Sequence, residues 1–273
     1  MTIHSAAELG PAIVLRTRPL GESDLLVVLL TPGGKVEAAA RGARNSKRRF
    51  PGGLPSGLRG MATITRGRGT LARLERFEAT VDHSPVGRDL DRFAYVAYLC
   101  ELTDELVLGR HPDPLVFAAL CTALEAVIGG TPRPGQLRRY ELALLTGLGL
   151  LPALVDCCAC GEPVAPGPGD TIAFDAVRGG VLCLAHGRGA PRLPVAVLAA
   201  AQQLVEGEDP APLEDAPVAE RRALRDLTQS ALKAHLRRPL HSLSFFAALA
   251  RPASASPDIG QEPGQEPDEG DAQ

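Results

Sequence analysis

Two short ligand-bearing pairs constrain the second half of this chain more than any other feature. Cys157-x2-Cys160 is followed, after 22 residues, by Cys183-x2-His186. A two-residue spacer lets a tight turn bring both side chains of a pair to one point, and two such pairs supply the four N or S donors of a tetrahedral zinc ion. Gly161 follows the first knuckle and Gly179-Gly180 precede the second, giving backbone freedom where the chain must wrap an ion. Pro163, Pro166, Gly167, Pro168 and Gly169 between them promise little core, so a metal would supply the missing stability. Cys157, Cys160, Cys183 and His186 are the expected ligands of a structural Zn2+, and Cys158 is a spare thiol.

The chain has 273 residues, enough for two or three domains, and six cysteines are too few and too clustered for a disulfide framework. Cys100 and Cys121 fall on apolar helical faces and read as buried hydrophobes. The longest apolar run, residues 142–155, is interrupted by Gly147, Gly149 and Pro152 and falls short of the roughly 20 residues a membrane span needs. The first ten residues lack a basic start followed by an apolar stretch, so a cytoplasmic chain with no membrane partner is expected.

Formal net charge is −3, but its distribution is uneven. Residues 1–80 carry 13 Lys/Arg against 6 Asp/Glu, whereas residues 252–273 carry six acids and no base. A basic head and an acidic tail suit a polyanion-binding domain with a solvated extension. Within residues 1–80, apolar runs at 12–16, 25–31, 35–40, 61–65 and 70–77 read as five strands. Pro32-Gly33-Gly34 and Gly67-Arg68-Gly69 mark turns. Five short strands of this size suggest an OB-type barrel, whose face and loops commonly bind oligonucleotides.

The connection between the third and fourth runs, residues 41–60, holds Arg41, Arg44, Lys47, Arg48, Arg49 and Arg59 and no acid. Such a run can follow a phosphate backbone and release counterions, giving salt-sensitive binding without base reading. Arg41, Arg44, Lys47, Arg48 and Arg49 are the expected phosphate contacts, with Arg66 and Arg68 at the barrel rim. Phe50 is expected to anchor the loop on the barrel.

From residue 85 the pattern turns helical: Leu90, Phe93, Val96, Ala97 and Leu102 follow helical steps. Residues 115–127 and 136–150 are further helices, separated by His111-Pro112 and by Gly129-Gly130-Thr131-Pro132. Tyr95 and Tyr98 read as core. The expected class is α+β: an OB-fold domain over 1–80, a helical domain over 81–155, an inserted zinc-binding region over 156–190, helices over 191–251 completing the helical domain, and a disordered acidic tail over 252–273. The tail is read as a solvated extension, with competition against DNA for the basic loop as the livelier alternative. No Walker loop, nucleophile elbow or HExxH motif is present. The enzymatic alternative is a zinc-dependent nucleic-acid hydrolase or deaminase using Glu162. It fits poorly, because Cys157 would be a fourth ligand closing the site and no Pro precedes Cys183.

Taken in order, the segments resemble the RecO family of recombination mediators. The matching stretches are Gly21-Glu22-Ser23-Asp24, Gly42-Ala43-Arg44, and Tyr140-Glu141-Leu142 leading through Leu148-Gly149 and Pro152 to Cys157. Cys160-Gly161, Gly179-Gly180, Leu182-Cys183 and residues 238–243 continue the likeness. The resemblance implies a non-enzymatic protein that binds single- and double-stranded DNA and anneals complementary strands. It also implies cooperation with RecR to load RecA onto strands coated by single-strand-binding protein, whose tail would enter a hydrophobic pocket between helices. This sequence departs at His186, where zinc-bearing relatives usually show Cys.

Overall fold

The computed structural model describes residues 7–66, 71–109 and 113–249, with side chains through residue 246. Arg68 with its turn, the His111-Pro112 turn and the acidic tail therefore lie outside the described residues.

Five strands close a barrel in the order β1-β2-β3-β5-β4. They are β1 (Ala7–Leu20), β2 (Asp24–Thr31), β3 (Gly34–Ala40), β4 (Arg59–Thr65) and β5 (Ala72–Ala79). All pairs are antiparallel except β3 with β5, which is the OB arrangement. β1 is far longer than the run at 12–16: its first half pairs with β4, its second with β2, and an irregularity between Val14 and Arg16 bends it from one to the other.

Alternation along β1 and β2 serves two cores rather than a core and solvent. Ala12, Val14, Val27 and Leu29 point into the barrel. Ile13, Leu15, Val28 and Leu30 point outward, where they join the helical core with Leu99, Leu102 and Leu120. Strands buried on both faces read as continuous apolar runs, which accounts for Leu25-Leu26-Val27-Val28-Leu29-Leu30.

A 3-10 turn at Val86–Arg88 precedes α1 (Leu90–Leu106), α2 (Pro114–Gly129) and α3 (Pro134–Gly147). Asp89 caps α1 by accepting from the Asp91 and Arg92 N–H groups, and Asp113 caps α2 by accepting from Val116. α3 ends at Gly147, short of the sequence expectation of 150, because Leu148 caps it and Gly149 turns the chain at φ +68°. The apolar face expected on α1 is also corrected: Leu90 and Phe93 are exposed, while Ala94, Tyr95, Tyr98, Leu99 and Cys100 are buried. α1 packs against the barrel, α2, α3 and the last helix; Phe93 reaches only the edge of that last contact, where its ring meets Phe245 of that helix edge-on at 5.9 Å and stays half exposed.

The remaining elements are β6 (Thr171–Asp175), β7 (Gly180–Leu182), β8 (Arg192–Pro194), α4 (Val195–Val205), α5 (Pro212–Asp215), α6 (Val218–Lys233) and α7 (His241–Leu249). β7, β6 and β8 form a small sheet. Between the two ligand pairs the chain packs more core than its Pro and Gly content suggests: Ile172, Phe174 and Val181 share a cluster with Val197, Leu198 and Leu227. Gly180 is required by close approach, since a Cβ there would lie 2.3 Å from the Ala153 carbonyl oxygen. No described helix is long and apolar enough to cross a membrane.

Candidate metal centre and nucleic-acid interface

Each half of the Cys3His cluster is a turn closed by main-chain hydrogen bonds. In the first, the Gly161 and Cys160 N–H groups donate to the Cys157 carbonyl at 2.7 and 3.3 Å, with Gly161 at φ +75°. In the second, Gly187 and His186 donate to the Cys183 carbonyl at 2.7 and 3.1 Å. The Cys158 N–H donates to the Val181 carbonyl at 2.9 Å, tying the first turn to β7, which leads directly into the second.

These turns bring Cys157, Cys160, Cys183 and His186 together with all ligand atoms within 4.8 Å of one another. Sγ of Cys183 is 3.2 Å from His186 Nδ1, Sγ of Cys157 is 3.8 Å from the same nitrogen, and the sulfurs of Cys160 and Cys183 are 4.0 Å apart. Two sulfurs each about 2.3 Å from a tetrahedral zinc stand about 3.8 Å apart, so the residues present fit such an ion. The cluster can bind a metal. Cys158 stands outside it.

Local dipoles favour thiolate at two positions. The Cys183 N–H, followed by those of Ala159 and Cys160, brings the Cys157 thiol down to about 6. The His186 N–H lowers Cys183. Glu162 N–H pulls Cys160 down, but the Cys157 sulfur, burial and Cys183 together leave it raised. The Cys183 and Cys157 sulfurs raise His186. Thiolates crowded around one imidazole are what a cation relieves. With Cys157 converging on the other three, the geometry differs from the three-ligand open site of a deaminase. Cys100 is a core thiol whose pKa burial pushes up to about 12, while Cys121 is half-buried.

The basic connection between β3 and β4 is folded onto the barrel rather than hanging free. Phe50, Leu54 and Leu58 are buried in the barrel core, as expected of Phe50. Asp24 accepts from the Gly42 N–H at 2.7 Å, which holds its carboxyl below the usual value. The Arg44 N–H donates to the Ser23 carbonyl at 3.1 Å. Arg49 donates to the Arg41 carbonyl at 2.6 Å and lies over the Phe50 ring, 5.4 Å from its centroid.

The six cations of the connection consequently divide. Arg41, Arg44, Lys47 and Arg48 are exposed, Arg44 donating from its guanidinium to the Glu22 carbonyl at 3.1 Å, and Arg49 is half-buried as a brace. Arg59 turns away, donating to the Cys121 carbonyl and pairing with Glu125 on α2 at 2.7 Å. Arg66 pairs with Glu8 at 3.3 Å. Arg68 lies outside the described residues.

The sequence implied an apolar pocket between helices only by resemblance and did not locate it; a groove of about 720 Å3 lies between α1, α3, α5, α6 and α7. Tyr95, Leu137, Leu243 and Phe246 supply its apolar wall, and exposed Arg221, Arg222 and Arg225 stand along one side. Three arginines within five residues of α6 were the available signal.

A closed five-stranded OB barrel joined to a helical body, with a Cys3His cluster beside it, defines a class of two-part α+β proteins whose barrel belongs to a fold often used on nucleic acid. Family models described as the N-terminal and C-terminal parts of recombination protein O match residues 8–81 and 87–244. The chain is 41% identical over 241 residues to DNA repair protein RecO of Anaeromyxobacter sp. strain K, covering 86% of this chain and 93% of that one. It is 36% identical over 243 residues to DNA repair protein RecO of Myxococcus xanthus, covering 87% and 96%. The counterpart in Roseiflexus sp. strain RS-1 is 34% identical over 245 residues, covering 86% and 83%. The chain belongs to the RecO family of DNA repair proteins, which are recombination mediators and not enzymes.

Proposed function

We propose that this protein holds single- and double-stranded DNA on the barrel and anneals complementary strands, with Arg41, Arg44, Lys47, Arg48 and Arg49 as phosphate contacts and Arg66 and Arg68 as weaker candidates. The observation that carries this reading is the set of exposed cations on a loop pinned by Asp24, Phe50 and Arg49. Annealing brings two polyanions together, and cations that neutralise phosphates lower their repulsion while leaving base edges free to pair. Pinning the loop reduces the entropy lost when the strand binds. Arg49 also shapes the loop, because its guanidinium donates to the Arg41 carbonyl.

Cys157, Cys160, Cys183 and His186 would hold Zn2+, which supplies a structural cross-link between the turn before Pro163 and the turn after β7. The family membership supports RecR and single-strand-binding protein as partners, RecA as the indirect beneficiary, and the cytoplasm, on the nucleoid, as the place of work. The apolar groove beside α6 suits the tail of single-strand-binding protein.

The test replaces Arg41, Arg44, Lys47 and Arg48 with Ala and measures single-strand binding against salt. The slope of log affinity on log salt falls by about 2.8 when four contacts are lost at about 0.7 each. An unchanged slope removes the loop from the DNA site. Annealing without nucleotide should fall in parallel.

A further inference from the structure

The groove between α1, α3, α5, α6 and α7 joins two chemistries that rarely suit one ligand. Its wall is aromatic and aliphatic, with Tyr95 and Phe246 edge-on at 5.3 Å. Its α6 side carries Arg221, Arg222 and Arg225, of which only Arg225 has an acidic partner among the described residues, its neighbour Asp226. Glu214 also borders the groove, but it accepts from the Gly135 N–H at 2.7 Å. Arg138, nine-tenths buried and also lining the groove, is paired through Nη2 with Glu141 at 2.6 Å and keeps only Nε without a partner among the described residues. The matching ligand is a peptide with one sizeable apolar side chain set among carboxylates.

This chain carries such a peptide at its own end. α7, which contributes Leu243 and Phe246 to the wall, ends at Leu249, within a turn of Phe246. Residues 252–273 hold six acids, no base, and a single large apolar residue, Ile259, flanked by Asp258 and followed by Glu262. Ile259 lies ten residues beyond Leu249, a reach of up to about 33 Å when extended, enough to double back along the groove. The basic loop at residues 41–49 is the competing cationic surface, but Phe50, Leu54 and Leu58 are consumed in the barrel core, leaving no comparable seat for Ile259.

We infer that the acidic C-terminal segment docks in this groove in cis, Ile259 against its apolar wall and Asp258 and Glu262 toward the α6 arginines, as an internal occupant that an outside acidic peptide must displace. The docking rests on the groove and the composition of the segment, not on the DNA reading or on an outside partner. A short tether holds the segment at about millimolar effective concentration, so modest intrinsic affinity keeps the groove mostly filled.

Two measurements on the full chain test it. A photoreactive benzoylphenylalanine at position 259 should form adducts with groove residues of the same chain. Adducts on residues 41–50, on a second copy, or on neither surface overturn the inference. Separately, a labelled peptide of residues 252–273 should bind the full chain carrying D258K, I259S and E262K about ten-fold more tightly than the unaltered chain, because the internal competitor is gone. R221E, R222E and R225E together should remove that binding. Equal affinity for the two chains, no binding to either, or binding that ignores the arginine reversals overturns it. Neither arm contains DNA, so failure here leaves the barrel reading untouched.

Discussion

Lys35 on β3 donates to Asp104 on α1 twice, at 2.5 Å to its carbonyl oxygen and at 3.1 Å to Oδ1. Arg16 donates to the other carboxylate oxygen at 2.6 Å. One buried acid thereby receives cations from two barrel strands, and the outward residues of β1 and β2 complete the join. Barrel and helical body share a core, so a strand held on the barrel is held relative to the helices.

Asp104→Ala should destabilise the whole chain by about 3 kcal/mol, because Lys35 is left near-buried without its counter-charge while Arg16, partly exposed, recovers water. Denaturant unfolding followed by barrel and helix probes should give one transition in the parent and a lower midpoint in the variant. An unaltered midpoint contradicts the role assigned to this acid.

Arg59 provides a control for the proposed DNA surface. It belongs to the same cation run as Lys47 and Arg48 but is spent on Cys121 and Glu125. Arg59→Ala should lower stability by about 1 kcal/mol and leave the salt slope of DNA binding unchanged. Paired loss of Lys47 and Arg48 should do the reverse, reducing the slope by about 1.4 with little change in melting.

Asp24 pins the loop through its contact with Gly42, and its carboxyl titrates below the ordinary 3.8. A depressed folded-state value means its contribution is present above that ordinary value and lost as pH falls through the lower, folded one. Amide exchange of Gly42 and Arg44, corrected for intrinsic pH dependence, should therefore be protected at neutral pH and lose protection in strong acid. Asp24→Ala should remove the same protection at pH 7.

Within the helical core, Glu141 is fully buried and accepts from Tyr98 at 2.5 Å and from Arg138 at 2.6 Å. Arg138→Met strips the carboxylate of its countercharge and should cost about 3–5 kcal/mol. Adding Glu141→Leu should recover most of that loss, and a double-mutant cycle measures the coupling.

Metal content offers a further check. The chain should contain about one zinc, and chelation should lower the melting temperature. Cys157→Ser should imitate chelation, Cys158→Ser should not, and His186→Cys should retain the metal because sulfur is an equally good fourth donor.

The ligand quartet, the five strands and the run of cations were legible in the sequence because each depends on neighbours a few residues apart: chelate spacing, alternation and charge density are local properties. The division of that cation run was not legible. Arg59 meets Glu125 across 66 residues and Arg16 meets Asp104 across 88, and such pairings exist only once helices have packed on the barrel. The same packing decided that β1 and β2 serve two cores, that Phe93 stays half exposed at the edge of α7, and that three arginines of α6 border a groove. Short-range pattern settles what each segment becomes; which faces are covered, and which charges remain free, is settled by where the segments meet.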